Sequence, residues 1–224
     1  MAIDLHKYAN PKRFLSIISM VYPWSVWSTV ILIGTGLYMG LFVAPPDYQQ
    51  GDTVRIMFVH VPAAWMALMI YMVMAVSSAV GLIWKHPVAD LTAKAAAPIG
   101  AAFTFLALVT GSLWGQPMWG TFWVWDARLT SMLILLFLYL GYMAIWESFD
   151  DTAKAAKAAA ILALVGVINI PIIRFSVDWW NTLHQPASVA TMSGPKIHSS
   201  ILIPLLIMGL AYTAFFVMVL IIRV

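Results

Sequence analysis

Long apolar stretches separated by short polar connections make up most of this chain. A membrane-spanning helix needs about 20 apolar residues, because each residue adds about 1.5 Å and the hydrocarbon core is about 30 Å thick. Stretches of sufficient length cover residues 24–44, 58–84, 95–113, 129–146, 158–177 and 199–222. The pattern predicts an all-α integral membrane protein with six transmembrane helices. No linker or internal repeat interrupts it, so we predict a single membrane domain over residues 1–224.

The apolar run at the N-terminal end begins early, at Phe14, and contains Pro23. A proline inside a helix removes one N–H donor and crowds the preceding turn. We therefore predict an interfacial helix over residues 14–22 that leads into the first span. The basic residues before it are also typical of a signal peptide, but no small-residue cleavage site follows and the apolar run is too long for one.

Lysine and arginine are distributed unequally between the two sides of the predicted spans. One side carries Lys7, Lys12, Arg13, Lys85, Lys94, Lys154, Lys157 and Arg223, and the other carries Arg55, Arg128, Arg174 and Lys196. Since basic residues accumulate on the cytoplasmic side, both termini are predicted to be cytoplasmic. The connections 45–57, 114–128 and 178–198 then lie outside, in the periplasm if the cell is Gram-negative.

Composition supports the membrane assignment and excludes several functions. Hydrophobic residues make up 62% of the chain and charged residues 9%, whereas soluble domains have about 25% charged residues. The net charge of +3 is the usual cytoplasmic excess and gives no indication of nucleic acid. Because there is no cysteine, disulfides, thiolate metal sites and thiol catalysis are excluded. A Walker-type glycine loop and an ionisable relay inside the spans are also missing, which argues against nucleotide hydrolysis and ion pumping.

The outer connection 114–128 has the most distinctive local pattern. Its sequence is WGQPMWGTFWVWDAR, and it contains Trp114, Trp119, Trp123 and Trp125 immediately before Asp126 and Arg128. Interfacial belts also enrich tryptophan, but they spread it among helix ends. The clustering in a segment with glycine and proline predicts an aromatic platform for a flat, apolar ligand with a charged edge.

Two of the five histidines are predicted to reach the same outer face as this platform. His60 lies at the outer end of the second span, and His184 follows Trp179 and Trp180 in the third outer connection. Two neutral imidazoles across an aromatic pocket are what a six-coordinate haem iron requires. A single interfacial histidine is more often a polar anchor than a ligand.

The remaining histidines are weaker candidates. His198, at the start of the last span, is the rival of His184, although an anchoring role suits its position better. His6 and His86 lie on the cytoplasmic side and are predicted to be solvated.

Three arginines lie near the outer ends of the spans, at positions 55, 128 and 174. A guanidinium offers a bidentate partner to the propionates of a porphyrin, and lipid phosphate is the alternative partner. Asp126 could orient Arg128, or it could cap the N-terminus of the fourth span, a role for which Thr130 is also suited.

The tryptophan segment and its surroundings resemble the WWD family of haem-handling membrane proteins, and within it the CcmC family of bacterial cytochrome c maturation system I. The resemblance covers WG at 114–115, PMWGT at 117–121 and WVWDARLTS at 123–131, and also AP at 44–45, DYQQG at 47–51, HVPAA at 60–64, APIG at 97–100 and WWNTLHQ at 179–185.

This resemblance implies a protein of the bacterial inner membrane that binds haem b without a covalent bond at the periplasmic face. His60 and His184 would be the axial ligands and the WWD segment would be the platform. The haem would pass to the chaperone CcmE, which attaches it covalently, with CcmD and the ABC subunits CcmA and CcmB as further partners. Asp47, Gln50, Arg55 and Arg128 match outer positions that the family uses around this site, the first two as partner contacts. Such a chain is a delivery protein rather than an enzyme.

Two other functions fit part of the pattern. A b-type cytochrome for electron transfer also binds haem between histidines, but it needs histidine pairs inside the spans, and no span interior has one. A complete cytochrome c synthetase would be an enzyme that forms thioether bonds, but those chains are larger and carry extra histidines and soluble domains.

Overall fold

The computed structural model describes residues 11–185, 188–189 and 194–224, and these are almost entirely helical. The helices are α1 (Pro11–Tyr38), α2 (Met57–Trp84), α3 (Pro87–Trp119), α4 (Ala127–Glu147), α5 (Thr152–Gly166), α6 (Asn169–Trp179) and α7 (Ser199–Arg223). Within the described ranges there is no β-strand, which confirms the all-α prediction. His6 and Lys7, which are predicted to be cytoplasmic, lie outside the described residues, as do parts of the third outer connection.

Among the described residues, six helical segments are long and apolar enough to cross a membrane, as predicted. The first, Leu15–Val43, includes a π-helical turn, Met39–Val43, that continues α1. The fifth, Thr152–Trp179, consists of α5 and α6. These two helices are separated at Val167 and Ile168, where Asn169 begins α6 and donates from Nδ2 to the carbonyl of Ser131 on α4 at 2.9 Å.

Two helix boundaries differ from the predictions. α1 runs through Pro23 without a break, so the separate helix predicted over residues 14–22 is wrong. One proline removes a single backbone hydrogen bond, and the neighbouring turns keep theirs. α3 extends to Trp119 and includes Pro117, so Trp114 and Trp119 belong to a helix rather than to a loop. Its C-terminal cap is Gly120, with a φ of 76° that favours glycine.

The helix α2 lies at the centre of the packing and contacts α3, α5 and α7. Its buried side chains include Met66, Ile70 and Met74. Facing them, α3 contributes a row of buried alanines, Ala93, Ala96 and Ala97. Small residues let helix backbones approach closely in a membrane. This packing holds α2 against α3. Near the start of α2, His60 contacts Ala107 and Gly111 of α3, close to the tryptophan segment.

Candidate ligand site

A cavity of about 430 Å³ lies at the end of the helices that carries the tryptophan segment. Ligand pockets in proteins usually have volumes of about 300–1,000 Å³. The wall contains seven of the residues singled out from the sequence, namely Gln50, His60, Trp114, Trp119, Arg128, Arg174 and His184. These residues come from the first outer connection, from α2, α3, α4 and α6, and from the connection after α6, so the fold brings distant parts of the chain to one site.

His60 is held between α2 and α3 by its Nδ1 atom. This nitrogen lies 3.0 Å from the carbonyl oxygen of Ala107 and 3.1 Å from Oγ1 of Thr110. A carbonyl can only accept, so Nδ1 carries the hydrogen and donates it, and Nε2 keeps its lone pair. The ring of Trp114 packs edge-on against the imidazole, with 5.7 Å between centroids. His60 is thus fixed in the tautomer that can coordinate a metal through Nε2.

His184 is held by a carboxylate instead. Its Nδ1 lies 2.9 Å from Oδ2 of Asp126, and the hydroxyl of Thr182 donates to the same oxygen. Trp119 packs edge-on against this imidazole, with a centroid distance of 4.7 Å. Because the carboxylate accepts from Nδ1, Nε2 again keeps the lone pair.

Asp126 and His184 have shifted pKa values that favour this arrangement. Burial raises the pKa of the Asp126 carboxyl, but hydrogen bonds from Thr182, from the N–H of Leu129 and from His184 lower it more, so the net pKa is below its ordinary value. Burial lowers the pKa of His184, and the nearby carboxylate only partly opposes this effect. At neutral pH the pair is therefore a carboxylate with a neutral imidazole, which is the form that binds metal.

Asp126 also begins α4. Its Oδ1 accepts from the backbone N–H of Leu129 at 2.8 Å, which confirms the predicted cap. Arg128 is held by α6, where its Nε donates to Oγ of Ser176 at 3.1 Å. One carboxylate thus supports both a helix end and a histidine, while the guanidinium of Arg128 lines the cavity independently.

The three outer arginines have different surroundings. Arg128 and Arg174 both line the cavity. Arg55 is not part of its wall; it pairs through Nε with Asp52 at 3.1 Å and donates to the carbonyl of Leu41 after α1. The structure therefore brings two of the three guanidiniums to the site and uses Arg55 to hold the first outer connection.

The tryptophan segment divides into two parts. Trp114 and Trp119, on α3, face the cavity and contact the histidines. Trp123 lines a separate apolar depression between α3 and α4, and Trp125 is 77% exposed. The two outer rings contact each other, with 5.5 Å between centroids.

The residues predicted to contact a partner lie in the first outer connection. Gln50 lines the cavity and accepts from Nε1 of Trp114 at 3.0 Å. Asp47 accepts from the backbone N–H groups of Gln49 and Gln50, each at 2.9 Å, and so shapes the turn. Asp47 positions Gln50, which in turn orients a tryptophan of the cavity wall.

Comparison with known proteins gives a match over almost the whole chain. The family model described as heme exporter protein C matches residues 4–224. The chain belongs to this family.

Several relatives of this heme exporter protein C family member carry the same description. The heme exporter protein C of Bradyrhizobium diazoefficiens is 62% identical over 215 residues, which cover 96% of this chain and 80% of the relative. The protein of Escherichia coli K12 is 55% identical over 181 residues, or 81% of this chain and 74% of the relative. A putative cytochrome c biosynthesis ccmC-like mitochondrial protein of Marchantia polymorpha is 54% identical over 185 residues, or 83% of this chain and 77% of the relative.

Two of the three weaker histidine candidates lie among the described residues of this heme exporter protein C family member. His198 is exposed and caps α7, with Nδ1 accepting from the N–H of Ser200 at 3.3 Å. His86 is only 7% exposed, so the prediction that it is solvated is wrong. It lies in the short connection between α2 and α3 and is the N-cap residue of α3.

Several supporting residues are not identifiable from sequence patterns. Thr182, Thr110 and the carbonyl of Ala107 act through contacts with residues far away in the chain. One feature of the sequence does point to this site: Gly111 and Gly115 lie one turn apart on the face of α3 that lines the cavity. A Cβ at Gly111 would lie 2.9 Å from Cε1 of His60, so glycine leaves the space that the imidazole occupies.

The donor set indicates which kind of metal the cavity suits. Among the described residues, no group of three or more His, Cys, Asp or Glu side chains could hold a metal ion. Protein sites for a bare transition-metal ion usually provide at least three ligands. Two imidazoles are insufficient for such a site, whereas they match the two axial positions of an iron already held by a porphyrin.

Proposed function

We propose that this chain binds haem b in the cavity, with Nε2 of His60 and Nε2 of His184 as the two axial ligands. The observation that carries the proposal is the matching state of the two imidazoles. Each donates from Nδ1 to a fixed acceptor, Ala107 in one case and Asp126 in the other, and each lines the same cavity. A hydrogen bond from the ring nitrogen that does not bind the metal is the usual way in which proteins orient a histidine towards a metal.

The rest of the wall suits a porphyrin. Trp114 and Trp119 offer large aromatic surfaces next to the histidines, and apolar side chains from α2 and α3 complete the wall. Arg128 and Arg174 supply positive charge for the two propionates. Haem is the cargo of the site: the iron accepts the two imidazole bonds, and the protein holds the ring without a covalent link.

We propose further that the bound haem is delivered to the chaperone CcmE for the assembly of c-type cytochromes. The descriptions of the relatives as heme exporter protein C and as a cytochrome c biosynthesis protein support this role. CcmD and the ABC subunits CcmA and CcmB would be the other partners. The function is handling and delivery of haem rather than classical enzymatic catalysis.

The proposed location is the bacterial inner membrane, with both termini in the cytoplasm, the cavity open to the periplasm and the helices in contact with lipid. The excess of basic residues on the side of the termini supports this orientation. The cavity is then at the face where a periplasmic chaperone could reach the edge of the haem. A transmembrane electron carrier is less well supported, because no histidine lies in the middle of a span where a second haem could be held.

An optical spectrum of the detergent-purified protein tests the haem proposal. We expect a six-coordinate, low-spin b-type spectrum, because two imidazoles saturate the iron. The haem should be extractable by acidified organic solvent, since no covalent bond holds it. A protein that purifies colourless, even when it is produced with its partner chains and ample haem, would contradict the proposal.

Delivery is tested separately by measuring haem attached covalently to CcmE in cells that produce the chain or its variants. We expect attachment to require this chain and to fall when either axial histidine is replaced. Normal covalent loading of CcmE in cells that lack the chain would contradict delivery while leaving haem binding intact.

A further inference from the structure

The contacts of His184 give Asp126 and Thr182 a role beyond capping a helix. We propose that Asp126, oriented by Thr182, is the positioning residue that selects the metal-binding tautomer of His184. This inference rests on the proposed axial role of His184. It assigns to Thr182 a function that its sequence position does not indicate.

The geometry around the carboxylate divides its two oxygens between two tasks. Oδ1 accepts from the backbone N–H of Leu129 at 2.8 Å and holds the start of α4. Oδ2 accepts from Nδ1 of His184 at 2.9 Å and from the hydroxyl of Thr182. Because the first oxygen is fixed by the helix, the position of the second is fixed as well. The cap therefore gives the carboxylate a defined orientation towards the imidazole.

Thr182 links the carboxylate to the backbone of the histidine. Its Oγ1 accepts from the N–H of His184 at 3.2 Å while its hydroxyl donates to Asp126. The threonine thus ties the connection after α6 to the N-terminus of α4. Both side chains of the hydrogen-bonded pair are largely buried, with exposures of 18% for His184 and 9% for Asp126, so water competes little for these hydrogen bonds.

The consequence concerns a single proton. An imidazole with a hydrogen on Nδ1 has its lone pair on Nε2, and the opposite tautomer has Nε2 blocked by hydrogen. A carboxylate can only accept, so it enforces the first tautomer. An amide in the same place would present its NH₂ group to Nδ1 and favour the second, as a neighbouring amide does to the histidine of a serine-protease triad.

The variant Asp126→Asn separates the two roles of the residue. Asparagine caps helices about as well as aspartate, so α4 keeps its start. We expect the low-spin spectrum to be lost as in His184→Ala, with haem affinity lower by about 10- to 100-fold, the usual effect of losing such a hydrogen-bond partner. Imidazole added to the buffer should restore part of the low-spin spectrum in both variants.

The chain provides a matched control in Asp151, which caps α5 by accepting from the N–H groups of Ala153 and Lys154 at 2.9 and 3.2 Å. Asp151→Asn makes the same chemical change at a helix cap without a histidine, and we expect an unchanged spectrum. If Asp126→Asn accumulates poorly, Thr182→Val and Thr182→Ser take its place. Valine should lower haem affinity and the low-spin fraction, and serine, which keeps the hydroxyl, should restore both.

The outcomes distinguish this inference from the proposed function. A wild-type spectrum in Asp126→Asn or, where that variant does not accumulate, in Thr182→Val, together with an altered spectrum in His184→Ala, would overturn the positioning role and leave haem ligation intact. An unchanged spectrum in His184→Ala would overturn both. Loss of the low-spin spectrum in both Asp126→Asn and Asp151→Asn would assign the effect to helix capping and overturn the inference.

Discussion

His60 and His184 line one cavity but are held by differently built regions. His60 lies in the first turn of α2 and is fixed by a backbone carbonyl of α3, in a place set by the packing of two long helices. His184 lies in the connection after α6 and is fixed by the side chains of Asp126 and Thr182.

This difference determines which substitutions can alter the hydrogen bonds that hold each histidine. A substitution can remove the hydroxyl of Thr110 from Nδ1 of His60, but none can remove the carbonyl of Ala107, so the position of this imidazole depends mainly on helix packing. The acceptor of His184 is the side chain of Asp126, so replacing its carboxylate by an amide would change which ring nitrogen of His184 carries the hydrogen. The predictions below test whether the two regions form one site and whether they differ in this way.

The largest test is whether both regions face the same side of the membrane. The chain has no cysteine, so single cysteines can be introduced at Gln50, Met118 and Gln185, and at Ala89 and Thr152 as controls. We expect the first three to react with a membrane-impermeant thiol reagent applied from the periplasm, and the controls to stay unreacted. Labelling of Met118 and Gln185 from opposite sides would exclude a shared iron.

The second test removes each ligand. His60→Ala and His184→Ala should each lose the six-coordinate, low-spin spectrum, because each removes one axial bond. Optical spectra with and without added imidazole measure this, and imidazole should restore part of the low-spin signal. His198→Ala is the matched control, since its histidine caps α7 and does not line the cavity. Bleaching in His198→Ala but not in His184→Ala would make the ligand assignment wrong.

The two regions also differ in how far sequence could predict them. The six spans follow from the length of the apolar stretches, because burying backbone in lipid requires helices of that length. Their ends do not follow from hydropathy. Trp114 and Trp119 sit among Gln116 and Pro117, a pattern typical of a loop, yet α3 continues to Trp119 because its last turn can lose one hydrogen bond to proline.

Within the site, residue types predicted the histidines and the aromatic wall but not their supports. The acceptor of His60 is the backbone of Ala107, 47 residues away, and a backbone carbonyl leaves no mark in the sequence. Thr182 and Asp126 are 56 residues apart. Such pairs depend on how α4, α6 and the following connection meet, which local patterns do not determine. The same holds for Arg55, which has the right residue type and side but belongs to a different contact.

The third test compares the inner and outer tryptophans. Trp114→Ala and Trp119→Ala should weaken haem binding by a few kcal/mol at most, since each ring offers about 150–250 Å² of contact area but no bond to iron. Trp125→Ala is the matched control, because this ring does not line the cavity. Haem titration of the three variants measures the effect. Equal haem affinities in all three variants would contradict a role of Trp114 and Trp119 in haem binding and would make them part of an interfacial belt.

The fourth test, with the smallest expected effect, concerns the packing that holds His60. In Gly111→Ala the new Cβ would lie 2.9 Å from Cε1 of His60, and the ring cannot move freely because Ala107 holds Nδ1. Overpacking of this kind costs about 1–3 kcal/mol, and here the imidazole would shift from its alignment. Gly34→Ala in α1 is the matched control, since a Cβ there meets nothing within 4 Å. We expect lower haem affinity and an altered low-spin spectrum only in Gly111→Ala. Identical haem titrations for the two variants would mean that helix packing does not set the position of His60, and the contrast between the two histidines would fail.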